Sequence, residues 1–331
     1  MFPDAPSEIL FIERLLYESA ALAQAIREDG QLRSLSKSDR SPVTAADFAV
    51  QALASYRLQA AFPGAVLVGE EGAQALRNGE DRALLDTIVR HLSPFIPEVN
   101  GNALCDWIDG GAGAPNDNFW TLDPIDGTKG YIRGGQYAIA LACIRNGTVV
   151  YGGLACPVLD LQDPSSDTGG GIVAVAGRGH NAWYTSSNDN HVSVTEMRVS
   201  TCDNLSEARL MRSYEGAHTD VTAMEKLGQL LGITQERHLP MDSQAKYTFM
   251  AAGGAEMLFR LLSPAQPDYR ECIWDQAAGS LLLEEAGGRI TDLKGKTLDF
   301  SQGKRLNANE GLFASNGLLH DLGLNALASL L

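Results

Sequence analysis

Apolar residues at Ile9, Ile12, Leu16, Ala20, Ala23 and Ile26 recur near the helical period, so their spacing predicts a helix over residues 7–28, with Ser7 available as its cap. A polar loop over residues 35–44 carries Lys37, Asp39 and Ser41. Its end, Ser41-Pro42-Val43-Thr44-Ala45-Ala46-Asp47, opens a second helix that Phe62-Pro63 terminates. Residues 65–68 make a short apolar strand running into Gly69-Glu70-Glu71-Gly72; residues 81–92 read as a helix and residues 100–118 as a Gly- and Asn-rich loop around a short turn at 104–108. The run Phe119-Trp120-Thr121-Leu122 reads as a buried strand and ends abruptly in Asp123-Pro124-Ile125-Asp126-Gly127-Thr128, where Pro124 stops strand pairing and Gly127 permits a tight turn. Residues 136–145 and 148–156 then flank Asn146-Gly147, the signature of a type I′ hairpin.

Residues 163–171 form an exposed Ser/Asp/Gly loop, and strands at 172–176 and 182–184 extend the antiparallel sheet. Composition turns polar at 201–207, which divides the chain into a domain of residues 1–203 and one of residues 204–331. Beyond it, a strand at 210–214, helices at 220–231 and 246–252, a strand at 255–262 and a helix at 275–286 closed by Gly287-Gly288 alternate as in an α/β layer. The pattern therefore predicts a layered α+β/α/β protein, with an antiparallel-sheet N-terminal domain and a smaller α/β C-terminal domain.

A chain of 331 residues suits one large or two medium domains, and 44% apolar content describes an ordinary soluble globule. The formal charge of −15 argues against nucleic-acid or anionic-membrane binding. An anionic substrate would have to be met by local cations or a metal. Cys105, Cys143, Cys156, Cys202 and Cys272 are odd in number and form no CxxC pair, which predicts reduced thiols. No apolar run reaches bilayer length, and the N-terminal stretch lacks the basic start and apolar stretch of a signal peptide. A cytoplasmic location is expected.

Two aspartates at one strand end can share a site only if one takes a proton or a cation sits between them. Magnesium, bound by a few carboxylates, carbonyls and water, suits Asp123 and Asp126, with the Ile125 carbonyl freed by the turn as a further ligand. Glu70 and Glu71 read either as metal-facing carboxylates or as solvated acids in a turn. Asp47, three residues after Thr44, reads as a capping residue at a helix start, and Asp275 in Trp274-Asp275-Gln276 lends itself equally to a cap. The loop Tyr214-Glu215-Gly216-Ala217-His218 sits between a strand and a helix, where backbone amides can receive an anion. Met241-Asp242-Ser243-Gln244-Ala245-Lys246-Tyr247 opens a helix in the same way. Arg260, on an apolar strand, is either paired or ligand-facing.

The string Asp123 to Thr128 resembles the metal-binding signature of the lithium-sensitive, magnesium-dependent phosphatases of the inositol monophosphatase superfamily. The longer WTLDPIDGTKGYIRGG, from Trp120 to Gly135, is similar to the branch that removes the 3'-phosphate from adenosine 3',5'-bisphosphate. The resemblance spans about Lys37 to Asn316 in five ordered blocks and implies the superfamily's αβαβα sandwich. It also implies that Glu70, Asp123, Ile125, Asp126 and Asp275 bind two or three magnesium ions, and that Asp47 and Thr128 deprotonate water. The backbone of Gly127 and Thr128 would face the phosphoryl group, and Gly216, His218, Ser243, Lys246 and Arg260 would hold the nucleotide. The expected partner is a small nucleotide, with the sulfate-bearing relative of that nucleotide a further candidate, and the chain a monomer or weak oligomer. Rival readings are an inositol (poly)phosphate 1-phosphatase and a non-catalytic nucleotide- or metal-sensing module. A dinucleotide-binding oxidoreductase is weaker, since no G-x-G-x-x-G opens a helix after an early strand.

Overall fold

The protein is represented by a computed structural model that describes residues 5–30, 34–36, 42–79, 81–166, 169–186, 193–213 and 220–330. Alternation of side chains along the strands sorts the core into faces. In Ala138–Arg145, Ile139, Leu141 and Cys143 join one cluster while Ala138, Ala140, Ala142 and Ile144 join another. Two faces that are both apolar must both be covered. The first is covered by helices Ser7–Glu28 and Ala45–Ala61, and the second by helices Ala245–Ala251 and Ala277–Glu285.

The sheet so enclosed has seven strands in chain order: Val66–Gly69, Asn118–Asp126, Ala138–Arg145, Thr148–Cys156, Ile172–Gly177, Ala182–Ser186 and Thr195–Glu196. All its pairs are antiparallel except the first, which is parallel. The hairpin turn has positive φ at both Asn146 (48°) and Gly147 (72°), as a type I′ turn requires.

A second, five-stranded sheet has the order His238–Pro240, Leu210–Arg212, Met257–Arg260, Leu312–Ser315, Arg289–Thr291. Here Met257 and Phe259 point to a third cluster with helices Val221–Leu231 and His320–Leu330, while Leu258 points back to the helices between the sheets. Helix, sheet, helix, sheet and helix thus stack as an αβαβα sandwich. No helix among the described residues is long and apolar enough to cross a membrane, and the five cysteines are free thiols.

Three local expectations are corrected. Ser7 is the first helical residue and not the cap; Pro6 holds that position without a side-chain bond. Residues 101–109, expected as a loop, form a helix because the Asn100 side chain accepts from the amides of Asn102 and Ala103, and Leu104, Cys105 and Ile108 are buried on one face. Within the polar loop, Ser34–Ser36 pairs antiparallel with Pro42–Thr44.

Candidate active site

The parallel pair decides where the first carboxylates lie. Gly69 is opposite Leu122 and both strands run the same way, so Glu70 and Asp123 leave the sheet side by side at one edge. Residues three apart on a regular strand face opposite sides, which would separate Asp123 from Asp126. The structure adds one residue: Asp123 pairs with Ala140 and Asp126 with Ala138, so three steps on one strand span two on its neighbour. This bulge at Pro124, which has no amide to donate, returns both aspartates to one side. Pro124 therefore shifts the pairing, contrary to the expectation that it ends it.

Gly127 follows at φ 83°, and a Cβ there would stand 2.9 Å from the Cβ of Ser243, so glycine permits both the turn and the close approach of the second half. In the helix Thr128–Arg133, the Thr128 hydroxyl lies 3.0 Å from the Ile125 carbonyl and 3.5 Å from Asp47 Oδ1. Asp47 is also a capping residue, its Oδ2 accepting from the Thr44 amide and hydroxyl at 2.7 Å each. One turn further along that helix, Gln51 fixes the Glu70-Glu71 turn: Nε2 donates to the Glu71 carbonyl at 2.7 Å, and Oε1 accepts its amide at 2.9 Å. Gln51, four residues after Asp47, was not singled out from sequence, and nothing in its own helix, which also carries Gln59, marks it.

Asp275 reaches the same place from the other half. It sits in a turn ahead of helix Ala277–Glu285, whose N-cap is Gln276, so it precedes the helix instead of occupying its first turn as expected. Carboxylate oxygens of Asp123, Asp126 and Asp275 lie within 4.8 Å of one another. Glu70 and Ile125 line the same cavity, of about 270 Å³. Desolvation holds the Asp126 carboxyl above its usual range, although Lys246 and the Gln244 amide oppose this. Desolvation and then the charge of Asp126, with Glu271 and Glu70 behind it, push Asp275 well above the carboxylate range. Crowded oxygens that resist ionisation together are the donor set a hard divalent cation fits.

The same cavity is lined by two cations, Lys246 and Arg260. Lys246 is 3% exposed and donates to Ser213 Oγ at 3.3 Å and to the Met241 carbonyl at 3.1 Å. Burial, and next the nearby Arg260, lower it to about 8. Arg260 donates through Nε to Glu271 at 2.9 Å; burial opposes its charge, but Glu271 keeps it above the usual arginine value. Ser243 occupies the left-handed region at φ 62°, its hydroxyl accepting from the Ala245 amide at 3.2 Å. Gly216 and His218 lie outside the described residues, as do Lys37, Asp39 and Ser41. Asp242, which takes Arg133 of the first half at 2.5 Å, and Gln244, which donates to the Trp274 carbonyl, escaped sequence reading because their partners are distant in the chain; Glu271 and Gln276, five residues apart and bonded to each other, belong to no motif that would mark them.

The profile described as "Inositol monophosphatase family" matches residues 11–330 of this chain. The chain belongs to the inositol monophosphatase family. A 3'(2'),5'-bisphosphate nucleotidase of Schizosaccharomyces pombe is 36% identical over 304 residues, covering 88% of this chain and 85% of the relative. One from Emericella nidulans is 35% identical over 346 residues, covering 96% and 97%. Among solved structures, the Thermotoga maritima IMPase superposes with a TM-score of 0.67 at 20% identity and 98% coverage of both chains. CysQ from Bacteroides thetaiotaomicron, a bacterial member of the inositol monophosphatase family, superposes with a TM-score of 0.59 at 17% identity, over 94% of this chain and 97% of its own. These two likenesses are of fold.

Proposed function

We propose that the protein is a magnesium-dependent phosphatase that hydrolyses the 3'-phosphate of adenosine 3',5'-bisphosphate to AMP and phosphate. The observation that carries this reading is one cavity lined both by a cluster of carboxylates and by two cations, the buried Lys246 and the half-buried Arg260. Glu70, Asp123, the Ile125 carbonyl, Asp126 and Asp275 would hold the magnesium, which when bound supplies positive charge to the phosphoryl oxygens and acidifies water. Thr128 and Asp47 form the proton relay: the hydroxyl takes a proton from the attacking water and passes its own to Asp47 Oδ1. Amides of Gly127 and Thr128 at the strand end stabilise the phosphoryl oxygens. Ser243, Lys246 and Arg260, with Gly216 and His218, hold the 5'-phosphate and nucleoside and so fix where the 3'-phosphate falls. On this reading the signature belongs to a unit of residues 1–203, and the nucleotide loops and Asp275 to one of residues 204–331.

The nucleotidase names of the relatives support the substrate, and a cavity that pairs acids with Lys246 and Arg260 supports an anionic ligand beyond the reacting phosphate. The test is phosphate release from adenosine 3',5'-bisphosphate, inositol 1-phosphate and inositol 1,4-bisphosphate, each with and without magnesium. The nucleotide should be turned over fastest, and only with the metal. Equal or faster release from an inositol phosphate would reject the substrate assignment. Asp126→Asn should abolish turnover; near-normal activity in saturating magnesium would reject the ligand assignment.

A further inference from the structure

Glu271 is 4% exposed, and both of its carboxylate oxygens are engaged. Oε1 accepts from Arg260 Nε at 2.9 Å, and Oε2 accepts from Gln276 Nε2 at 3.0 Å. Gln276 Oε1 in turn accepts from the Tyr247 hydroxyl at 2.6 Å. The backbone that carries this carboxylate is also held, since the Glu271 main-chain carbonyl takes the Leu306 amide at 2.9 Å and Cys272 forms an antiparallel bridge with Arg305. Three elements are tied together by this chain of bonds: the strand carrying Arg260, the helix carrying Lys246 and Tyr247, and the turn carrying Asp275. Its polarity runs one way. Only an acceptor with two free oxygens at position 271 satisfies a guanidinium and an amide at once. Held at Nε, the planar guanidinium is restrained in orientation, and its outer N–H groups are left for the cavity that Arg260 lines.

We propose that Glu271 is a positioning residue for substrate selection: it aims Arg260 at the second, non-reacting phosphate and so sets the preference for a bisphosphate over a monophosphate nucleotide. This rests on the nucleotidase reading above. A purely structural buried acid would, on substitution, weaken the fold or all substrates alike. A positioning acid affects only the substrate that uses Arg260.

The experiment compares kcat and KM for adenosine 3',5'-bisphosphate and adenosine 3'-monophosphate in the wild type, E271Q, R260Q and the double variant, with folding checked by thermal denaturation. A glutamine at 271 keeps the shape but offers one acceptor where two are needed. E271Q should raise KM for the bisphosphate roughly tenfold or more, the size of effect expected for a charge-assisted bond. It should leave kcat, and both constants for the monophosphate, within about twofold. In the R260Q background it should change the bisphosphate-to-monophosphate ratio no further. Should E271Q not fold, E271D keeps the charge but withdraws it by one methylene, and is expected to lower the same ratio. If R260Q collapses the ratio while E271Q or E271D leaves it intact, the role of Glu271 is overturned and the substrate reading stands. If R260Q leaves the ratio unchanged, Arg260 does not hold the second phosphate and the positioning role of Glu271 falls with it, while the substrate reading is rejected only if the wild type turns over the bisphosphate no faster than an inositol phosphate. An equal loss on both substrates also overturns the proposal.

Discussion

Asp47 and Thr128 show how one side chain divides its work between atoms. Oδ2 of Asp47 is committed to Thr44 and Oδ1 faces the Thr128 hydroxyl, so capping and proton transfer draw on different oxygens. The hydroxyl has one proton and two acceptors, the Ile125 carbonyl at 3.0 Å and Asp47 at 3.5 Å. Once the carbonyl is committed elsewhere, Asp47 is the acceptor that remains. Two substitutions should separate the functions. Thr128→Ala is expected to lower kcat by about 10²–10⁴ with little change in stability. Thr44→Ala, which removes the cap, should cost about 1 kcal/mol in denaturant unfolding and leave kcat close to normal. Comparable kcat losses in the two would mean that Asp47 acts through helix placement alone. Of this pair the sequence carried more than usual, because a cap and its acid sit three residues apart in one string. The partner acceptor, Ile125, was equally local. What could not be read was Gln51, whose partners Glu71 and Ile108 come from separate segments.

Among elements, the last strand and last helix of the second sheet are joined by a hydrogen-bond chain of fixed direction. Thr291 Oγ1 donates to the Asp292 carbonyl at 2.8 Å, so it accepts from His320 Nε2 at 3.0 Å. The ring, its pKa lowered to about 4 and its Nε2 donating, carries its lone pair on Nδ1, so Ser315 Oγ, which accepts from the Gly317 amide at 3.1 Å, donates to Nδ1 at 2.9 Å. Every donor is used once, and the imidazole is neutral with its proton on Nε2. Burial, and then Arg289, lower its pKa to about 4, below the ordinary 6.5; Asp321 opposes them. A depressed histidine stabilises the fold fully above the unfolded value and loses that contribution as pH falls from about 6.5 toward 4. His320→Gln should therefore destabilise the protein most near pH 7, and the gap to the wild type in thermal midpoint should narrow by pH 4.5. A gap that stays constant over that range would show that the imidazole does not titrate there. None of this region was predicted: Arg289–Thr291 and Leu312–Ser315 are too short to show a period, and they become strands only by pairing with each other and with Met257–Arg260.

At the scale of the whole molecule, the αβαβα stack brings the ends of two sheets to one cavity. The alternation of strands and helices in the second half made an α/β layer legible, whereas the full five-layer stack was implied by the family resemblance. The parallel entry of Val66–Gly69 was not legible, because an apolar run of four residues is too short to tell a parallel strand from a buried antiparallel one. Yet that entry, with the bulge at Pro124, is what brings Glu70, Asp123 and Asp126 together. Asp275 comes from the turn ahead of a helix packed between the sheets, so a bound cation would bridge the two halves. Asp275 resists ionisation in the fold because it is desolvated and faces Asp126. Removing its charge should relieve the cation-free protein, and holding a cation should do the same for the wild type. Magnesium at a hundred times its dissociation constant stabilises by about 2.7 kcal/mol, which for a chain of this size raises the thermal midpoint by a few degrees. The expected outcome is a magnesium-dependent midpoint in the wild type against a chelated control. In Asp275→Asn the chelated midpoint should equal or exceed that of the wild type, and most of the magnesium response should disappear. If the variant kept the full response, the cation would be held by the first sheet alone and the two halves would not be bridged through it.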